Sequence, residues 1–209
     1  MCGRFMLKDN IDNILKQYRI VKSELDNYKK GDIYPSESSP ILTYDKGRIL
    51  KSAKWGFPLN EEGKLVINAR SESIDNKSMF KYAFENSRCI IPANLFYEWK
   101  DEGDKKKTKY MIGNKEDGLI SFGGICKFTL NNKGQKELSF VIITTQSNNH
   151  MESIHNRMPL MIKDDVLDCW LDTKTEKTVI ENIIKSNLGK RLIIEKDSQA
   201  KTFEQLKLF

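Results

Sequence analysis

Apolar and polar positions along the chain predict many short strands and few helices. Ile11, Ile14, Leu15 and Tyr18 recur at helical spacing behind Asp9 and Asn10, either of which can cap a first helix. Ile41–Tyr44 and Arg48–Trp55 read as strands around the turn Asp45-Lys46-Gly47, while Tyr34–Pro40, with its prolines and serines, reads as a loop. Met79, Phe80, Ala83 and Phe84 form one apolar face of a second helix. Cys89–Ile91 and Leu95–Trp99 are strand-like runs on either side of Pro92-Ala93-Asn94. After the charged turn Asp101–Lys107, strands are expected at Tyr110–Ile112, Leu119–Ile125 and Leu138–Thr144. Val166–Leu171 starts a helical stretch, Val179, Ile180, Ile183 and Ile184 mark the last helix, and Leu192–Ile194 a final short strand. Strands joined by tight turns predict an α+β fold: a curled antiparallel sheet with helices around it, rather than alternating β-α units. No repeat and no Pro/Gly/Ser-rich linker interrupts the chain, so one domain over residues 1–209 is expected.

Composition narrows the function classes. A chain of 209 residues can bury a large core without disulfides or metal. Lys plus Arg is 35 against 29 Asp plus Glu, a net charge of +6 that permits a polyanionic partner without requiring one. With 39% hydrophobic residues and no run near the roughly 20 apolar residues of a membrane span, no membrane association is expected. The start Met1-Cys2-Gly3-Arg4-Phe5 has no apolar stretch behind basic residues, so no secretory signal is expected and a cytoplasmic location follows. Cys2, Cys89, Cys126 and Cys169 lack paired spacing and only two histidines are present, so neither a metal site nor a disulfide framework is expected.

Cys2 is the residue with most chemistry to offer. It follows the initiator Met, and its small side chain suits removal of Met1; the plain alternative is an ordinary small residue at a terminus. A terminal cysteine carries a thiol and an α-amine on adjacent carbons, both partly nucleophilic at neutral pH. Such a 1,2-aminothiol condenses with an aldehyde to an imine that the thiol closes to a thiazolidine. Alternatively, the thiolate attacks a carbonyl as a peptidase or amidotransferase does.

Three polar segments could serve it. In Asn68-Ala69-Arg70-Ser71-Glu72, the Asn68 amide can orient a carbonyl or hydroxyl, or simply end a strand. In Arg88–Trp99, Glu98 lies between Tyr97 and Trp99, where desolvation would fit it for proton transfer; the alternative is an outward position of an alternating strand. In Ile154–Pro159, His155 can act as an acid or base, or cap a turn. Arg4, Arg70 and Arg157 can each bind phosphate or pair with a surface carboxylate. Trp55 and Trp99 can stack on bases or fill the core.

In order and spacing these segments closely resemble the SRAP (SOS-response-associated peptidase) family of abasic-site-processing proteins. The resemblance runs through Met1–Phe5, Lys54-Trp55-Gly56, Asn68–Glu72, Arg88–Ala93, Phe96–Trp99, Thr144-Thr145, Asn148 and His155–Pro159. Each motif is weak alone; the ordered set is specific. It implies a twisted barrel-like core with helices and a sensor of abasic sites in single-stranded DNA, acting as a monomer without cofactor and joining the nucleoid on damage. Cys2 would form a thiazolidine with the ring-opened sugar, with lyase and Met1-removing activity associated with the same residue. Glu98 would shuttle protons, His155 would assist ring opening and reversal, and Asn68 would position the terminus. Arg4, Arg70, Arg157, Trp55, Trp99, Thr144, Met158 and Pro159 would meet the DNA. Ile33-Tyr34-Pro35-Ser36 departs from the family's frequent Asn-Ile-Ala-Pro, and no usable motif follows about Asp172. Two rival readings are an N-terminal-nucleophile hydrolase of the glutamine amidotransferase kind, which also begins Met-Cys-Gly, and a non-catalytic DNA-binding module.

Overall fold

The computed structural model describes residues 2–59, 63–114, 118–131, 133–186 and 192–197. In chain order the strands are β1 (Phe5–Leu7), β2 (Lys22–Ser23), β3 (Gly31–Ile33), β4 (Ser38–Tyr44), β5 (Arg48–Trp55), β6 (Phe57–Pro58), β7 (Leu65–Val66), β8 (Asn68–Arg70), β9 (Arg88–Ala93), β10 (Leu95–Asp101), β11 (Lys107–Asn114), β12 (Ile120–Leu130), β13 (Lys136–Gln146), β14 (Arg157–Pro159) and β15 (Leu192–Lys196). The helices are α1 (Ile11–Gln17), α2 (Ser78–Asn86), α3 (Leu167–Leu171) and α4 (Lys177–Lys185).

Local signals account for most of these elements. Asn10 caps α1, its side chain accepting the Asn13 N–H at 2.8 Å. Asp45-Lys46-Gly47 turns β4 into β5, with Lys46 and Gly47 both at positive φ, and the pair runs antiparallel from Tyr44–Arg48 to Ser38–Lys54. Phe80, Ala83 and Phe84 are the buried side of α2, and Ile180 and Ile183 that of α4.

Five strands close into a barrel in the order β13-β12-β9-β4-β5 and back to β13. The expected curled antiparallel sheet is therefore present, with one difference: the seam β5–β13 is parallel, Ser139 opposite Lys54 and Phe140 opposite Trp55. At the seam the rings of Trp55 and Phe140 stack 6.2 Å apart at 7°. Gly56, at φ 121, turns the chain just beyond it, and its N–H donates to the Phe140 carbonyl at 2.8 Å. A second sheet, β15-β11-β10-β1-β3, joins the same core. Phe5 of β1 packs against Trp55 and Phe122, and Phe96 of β10 against Phe122.

Two boundaries differ from the sequence reading. Ser38–Pro40 are strand rather than loop, because they pair with Ser52–Lys54 of the closing barrel. Pro92 lies inside β9, opposite Ser121. It sits past the Leu42–Ile90 position where β4 meets β9, so its missing N–H removes no bond to β4.

Packing inside the barrel leaves no room at Gly124. A Cβ there would lie 2.4 Å from Ile91 Cδ1 and 2.7 Å from the Val141 carbonyl oxygen. The carbonyl belongs to the neighbouring strand and cannot swing away. Gly124→Ala should therefore destabilise the fold by about 1–3 kcal/mol, read as a lower denaturant midpoint with unchanged slope.

Candidate functional site

Cys2 is carried into the core by the strand it precedes. β1 pairs with β10 at Phe5–Phe96, and the Tyr97 N–H extends the ladder by donating to the Arg4 carbonyl at 3.0 Å. Cys2 is fully buried, its Sγ directed at the Arg4 carbonyl at 3.8 Å. Its own carbonyl accepts a hydrogen bond from Asn68 Nδ2 at 2.9 Å. Asn68 Oδ1 is also buried and has no hydrogen-bond partner among the described residues. Glu98, only 3% exposed, lies on β10, two residues from Phe96 and so on the same face of the strand. Burial first, and the Glu98 carboxylate second, push the Cys2 thiol far above its ordinary range. At neutral pH this thiol is held protonated. Asn68, Glu98 and Cys2 are thus brought together.

The next residue pair anchors the terminus. The Arg4 guanidinium pairs with Asp32 of β3 and lies between two rings, Tyr97 at 4.5 Å and Tyr34 at 4.9 Å. The Tyr97 hydroxyl donates to the other Asp32 oxygen at 2.8 Å. Lys109, paired with Asp197 at 2.8 Å, sits 4.2 Å from the Tyr97 ring centre. Asp32 and Tyr34 carried no assignment in the sequence. Tyr34 falls where the sequence departs from the family pattern, and that departure supplies the second ring over Arg4.

The remaining polar residues gather along β8. It pairs in parallel with β13, Asn68 opposite Ile142 and Arg70 opposite Thr144. Ala69 points inward, so Asn68 and Arg70 share the other face, about 7 Å apart along the strand. Asn68 meets Cys2; Arg70 lines a polar cleft of about 620 Å³ with Gln146, His155, Asn156 and Arg157. His155 is delivered by a turn that Asn148 organises, its side chain accepting the Met151 N–H at 3.0 Å, and the His155 N–H donates to the Met151 carbonyl at 2.9 Å. The Arg157 backbone N–H donates to His155 Nδ1 at 2.9 Å. In the neutral ring the proton therefore sits on Nε2.

Arg157 is held rather than free. Its Nη1 and Nη2 donate to the two Glu72 oxygens at 2.6 and 2.9 Å, and Nη2 also reaches the Thr144 carbonyl at 2.6 Å. These bonds hold the Glu72 carboxyl below the ordinary carboxylate range. Arg70 is exposed and has no ion-pair partner among the described residues. The arginines expected to act alike therefore divide: Arg4 and Arg157 carry carboxylates, Arg70 does not.

Four of the residues expected to meet DNA lie in the core: Trp55, Thr144 and Met158 are fully buried and Pro159 is buried too. Trp55 donates its Nε1–H to the Ile67 carbonyl at 2.9 Å, which fixes the residue before Asn68. Trp99 is half-buried. Among the described residues no three His, Cys, Asp or Glu side chains gather as metal ligands would, and no helix is long and apolar enough to cross a membrane. Met1 lies outside the described residues.

The burial pattern predicts the order of thiol reactivity. Cys169 is exposed, whereas Cys2, Cys89 and Cys126 are buried. On the chain that retains Met1, iodoacetamide at neutral pH should alkylate Cys169 well before Cys2, as read by peptide mass spectrometry. Early labelling of Cys2 would contradict the neutral buried thiol.

Comparison with known proteins adds identity to this geometry. The family described as SOS response associated peptidase (SRAP) matches residues 1–198. The chain is similar to the abasic site processing protein YoqW of Bacillus subtilis (strain 168), 32% identical over 194 residues, covering 88% of this chain and 87% of the relative. It is also similar to the abasic site processing protein YoaM of the same organism, 34% identical over 186 residues, covering 83% and 80%. Among solved structures, a Bacteroides thetaiotaomicron protein superposes with a TM-score of 0.82 at 22% identity, covering 93% of this chain and 91% of its own. A Bordetella bronchiseptica protein reaches 0.80 at 20%, covering 93% and 99%. The two structures share the fold. With the family matched over nearly the whole chain, this protein belongs to the SRAP family, whose similar members include abasic site processing proteins.

Proposed function

We propose that this protein captures abasic sites in single-stranded DNA covalently, through a thiazolidine formed by Cys2 once Met1 is removed. The observation that carries the reading is the convergence of Asn68 and Glu98 on a wholly buried Cys2. The names of the relatives, abasic site processing proteins from bacteria to the vertebrate HMCES, support the substrate class.

The α-amine freed by Met1 removal would react first with the sugar aldehyde, since burial disfavours the Cys2 thiolate. Glu98 would take a proton from the ammonium and return it to the carbinolamine hydroxyl, so that water leaves and an imine forms. The thiol then adds to the imine carbon, its proton passing to nitrogen, and the ring closes. Asn68 Oδ1, the buried acceptor beside Cys2, is placed to receive an N–H of that amine. His155 would donate from Nε2–H to the sugar ring oxygen as the hemiacetal opens, since its Nδ1 is occupied. A thiolate-first amidotransferase mechanism would have to work against the burial that protonates Cys2. Arg70, exposed at the cleft, would be the first phosphate contact, and the half-buried Trp99 would meet a base.

Incubation with a single-stranded oligonucleotide carrying one abasic site should give an adduct that survives denaturing electrophoresis, with a thiazolidine mass on the N-terminal peptide. Cys2→Ala should lose it, and Glu98→Gln should slow its formation by about 10²-fold or more. A stable adduct in Cys2→Ala at the wild-type level overturns the assignment.

Noncovalent binding gives a separate measurement. Each phosphate contact on a single strand contributes roughly 0.7 to the slope of log affinity against log salt. Arg70→Ala should flatten that slope by about this amount.

A further inference from the structure

Arg157, which lines the cleft with Arg70, already holds a competitor for phosphate. Glu72 follows Arg70 by two residues, on the 3-10 turn Ser71–Ser73 that ends β8. Its two oxygens meet Nη1 and Nη2 of Arg157, the fork-to-fork geometry that a phosphate would otherwise take. Arg157 has little else to give. Its side chain is 12% exposed, its Nη2 is shared with the Thr144 carbonyl, and its Nε is buried with no hydrogen-bond partner among the described residues. Glu72, by contrast, is 48% exposed, so its carboxylate can rotate into solvent and free both Nη groups. Arg4 carries a second such carboxylate, but Asp32 is fixed by the Tyr97 hydroxyl and cannot leave as easily.

We propose that Glu72 is a specificity-determining residue: a resident phosphate surrogate that keeps Arg157 from the backbone of intact DNA. The proposal rests on the DNA-directed reading of the cleft. It means that ordinary single strands are held chiefly by Arg70, with Arg157 joining only where a strand is held long enough to displace the carboxylate. The pair is open to solvent on its Glu72 side, so a phosphate can exchange with the carboxylate reversibly.

The test measures noncovalent affinity for an intact oligodeoxynucleotide across salt, for wild type, Glu72→Gln, Glu72→Ala and Glu152→Gln. Glu152 also lines the cleft and changes the net charge by the same amount, but it holds no arginine among the described residues. Both Glu72 variants should bind about five-fold more tightly at low salt, with a slope steeper by roughly 0.7. Glu152→Gln should leave the slope unchanged. Equal steepening in Glu152→Gln would reduce Glu72 to a general field effect, and weaker or unchanged binding in both Glu72 variants would make it a structural partner of Arg157; either overturns the proposal. Adduct formation on abasic DNA is scored in parallel. A wild type that forms no adduct, while the Glu72 variants still tighten on intact DNA, overturns the capture reading and leaves the surrogate standing. Adduct formation with no change of slope does the reverse.

Discussion

Closing the barrel requires β5 and β13 to run parallel, although each belongs to an antiparallel hairpin with its own neighbour. Parallel pairing of strands more than 80 residues apart in sequence has no short turn to set its register, so side chains must set it. Trp55 and Phe140 do so. They face each other in the register, their rings stack, and the Gly56 N–H bonds the Phe140 carbonyl immediately beyond. The same indole sends its Nε1–H to the Ile67 carbonyl, and the Ile142 N–H meets that carbonyl at 3.1 Å. β8 is therefore laid along β13 by the residue that closes the barrel. Asn68 and Arg70 inherit their positions from it, and through Asn68 so does Cys2. Trp55 serves the site from within the core.

Burying a reactive terminus has a physical consequence for its chemistry. A thiol in an apolar core beside a carboxylate is stabilised as the neutral form, which suppresses alkylation, oxidation and thiolate attack while no substrate is present. An amine on the adjacent carbon would not share that constraint to the same degree, because Asn68 offers it a buried acceptor and Glu98 a counter-charge. On the proposed chemistry, the reaction would start at nitrogen and finish at sulfur. The Arg4 stack keeps this geometry rigid. A guanidinium held between two rings and a carboxylate leaves Gly3 and Cys2 little freedom to leave the end of β1.

Much of this was legible from residues alone, and the exceptions have physical causes. Long alternating or apolar runs marked β4, β5, β10, β12 and β13, and capping and spacing marked α1 and α2. The three-residue strands β1, β3, β8 and β14 were not legible, since their extension comes from partners far away in sequence and not from local periodicity. At the site, Asn68, Glu98 and Cys2 converge as the segment pattern implied. The arginines could not be sorted in advance. Arg70 and Arg157 look equivalent in sequence, and only the fold shows that Glu72 folds back onto one and not the other. Trp55 and Trp99 were ambiguous for a related reason: an aromatic residue fits a barrel core and a base-stacking wall equally well, and burial alone distinguishes them.

A mild excess of +6 is compatible with the proposed chemistry. Phosphate contacts fix how tightly any DNA is held, damaged or not, so a strongly basic cleft would retain the chain on intact strands that vastly outnumber damaged ones. On the proposed function, neutralising two of three arginines with carboxylates would keep that background low. Discrimination would then pass to a feature intact DNA lacks, the aldehyde of an opened abasic sugar. On the proposed chemistry the lifetime of the complex is set by a covalent ring, so the noncovalent contacts need only bring the sugar to Cys2 and hold it while the imine forms. Weak binding is then compatible with durable capture, and the carboxylates that weaken it contribute to selectivity.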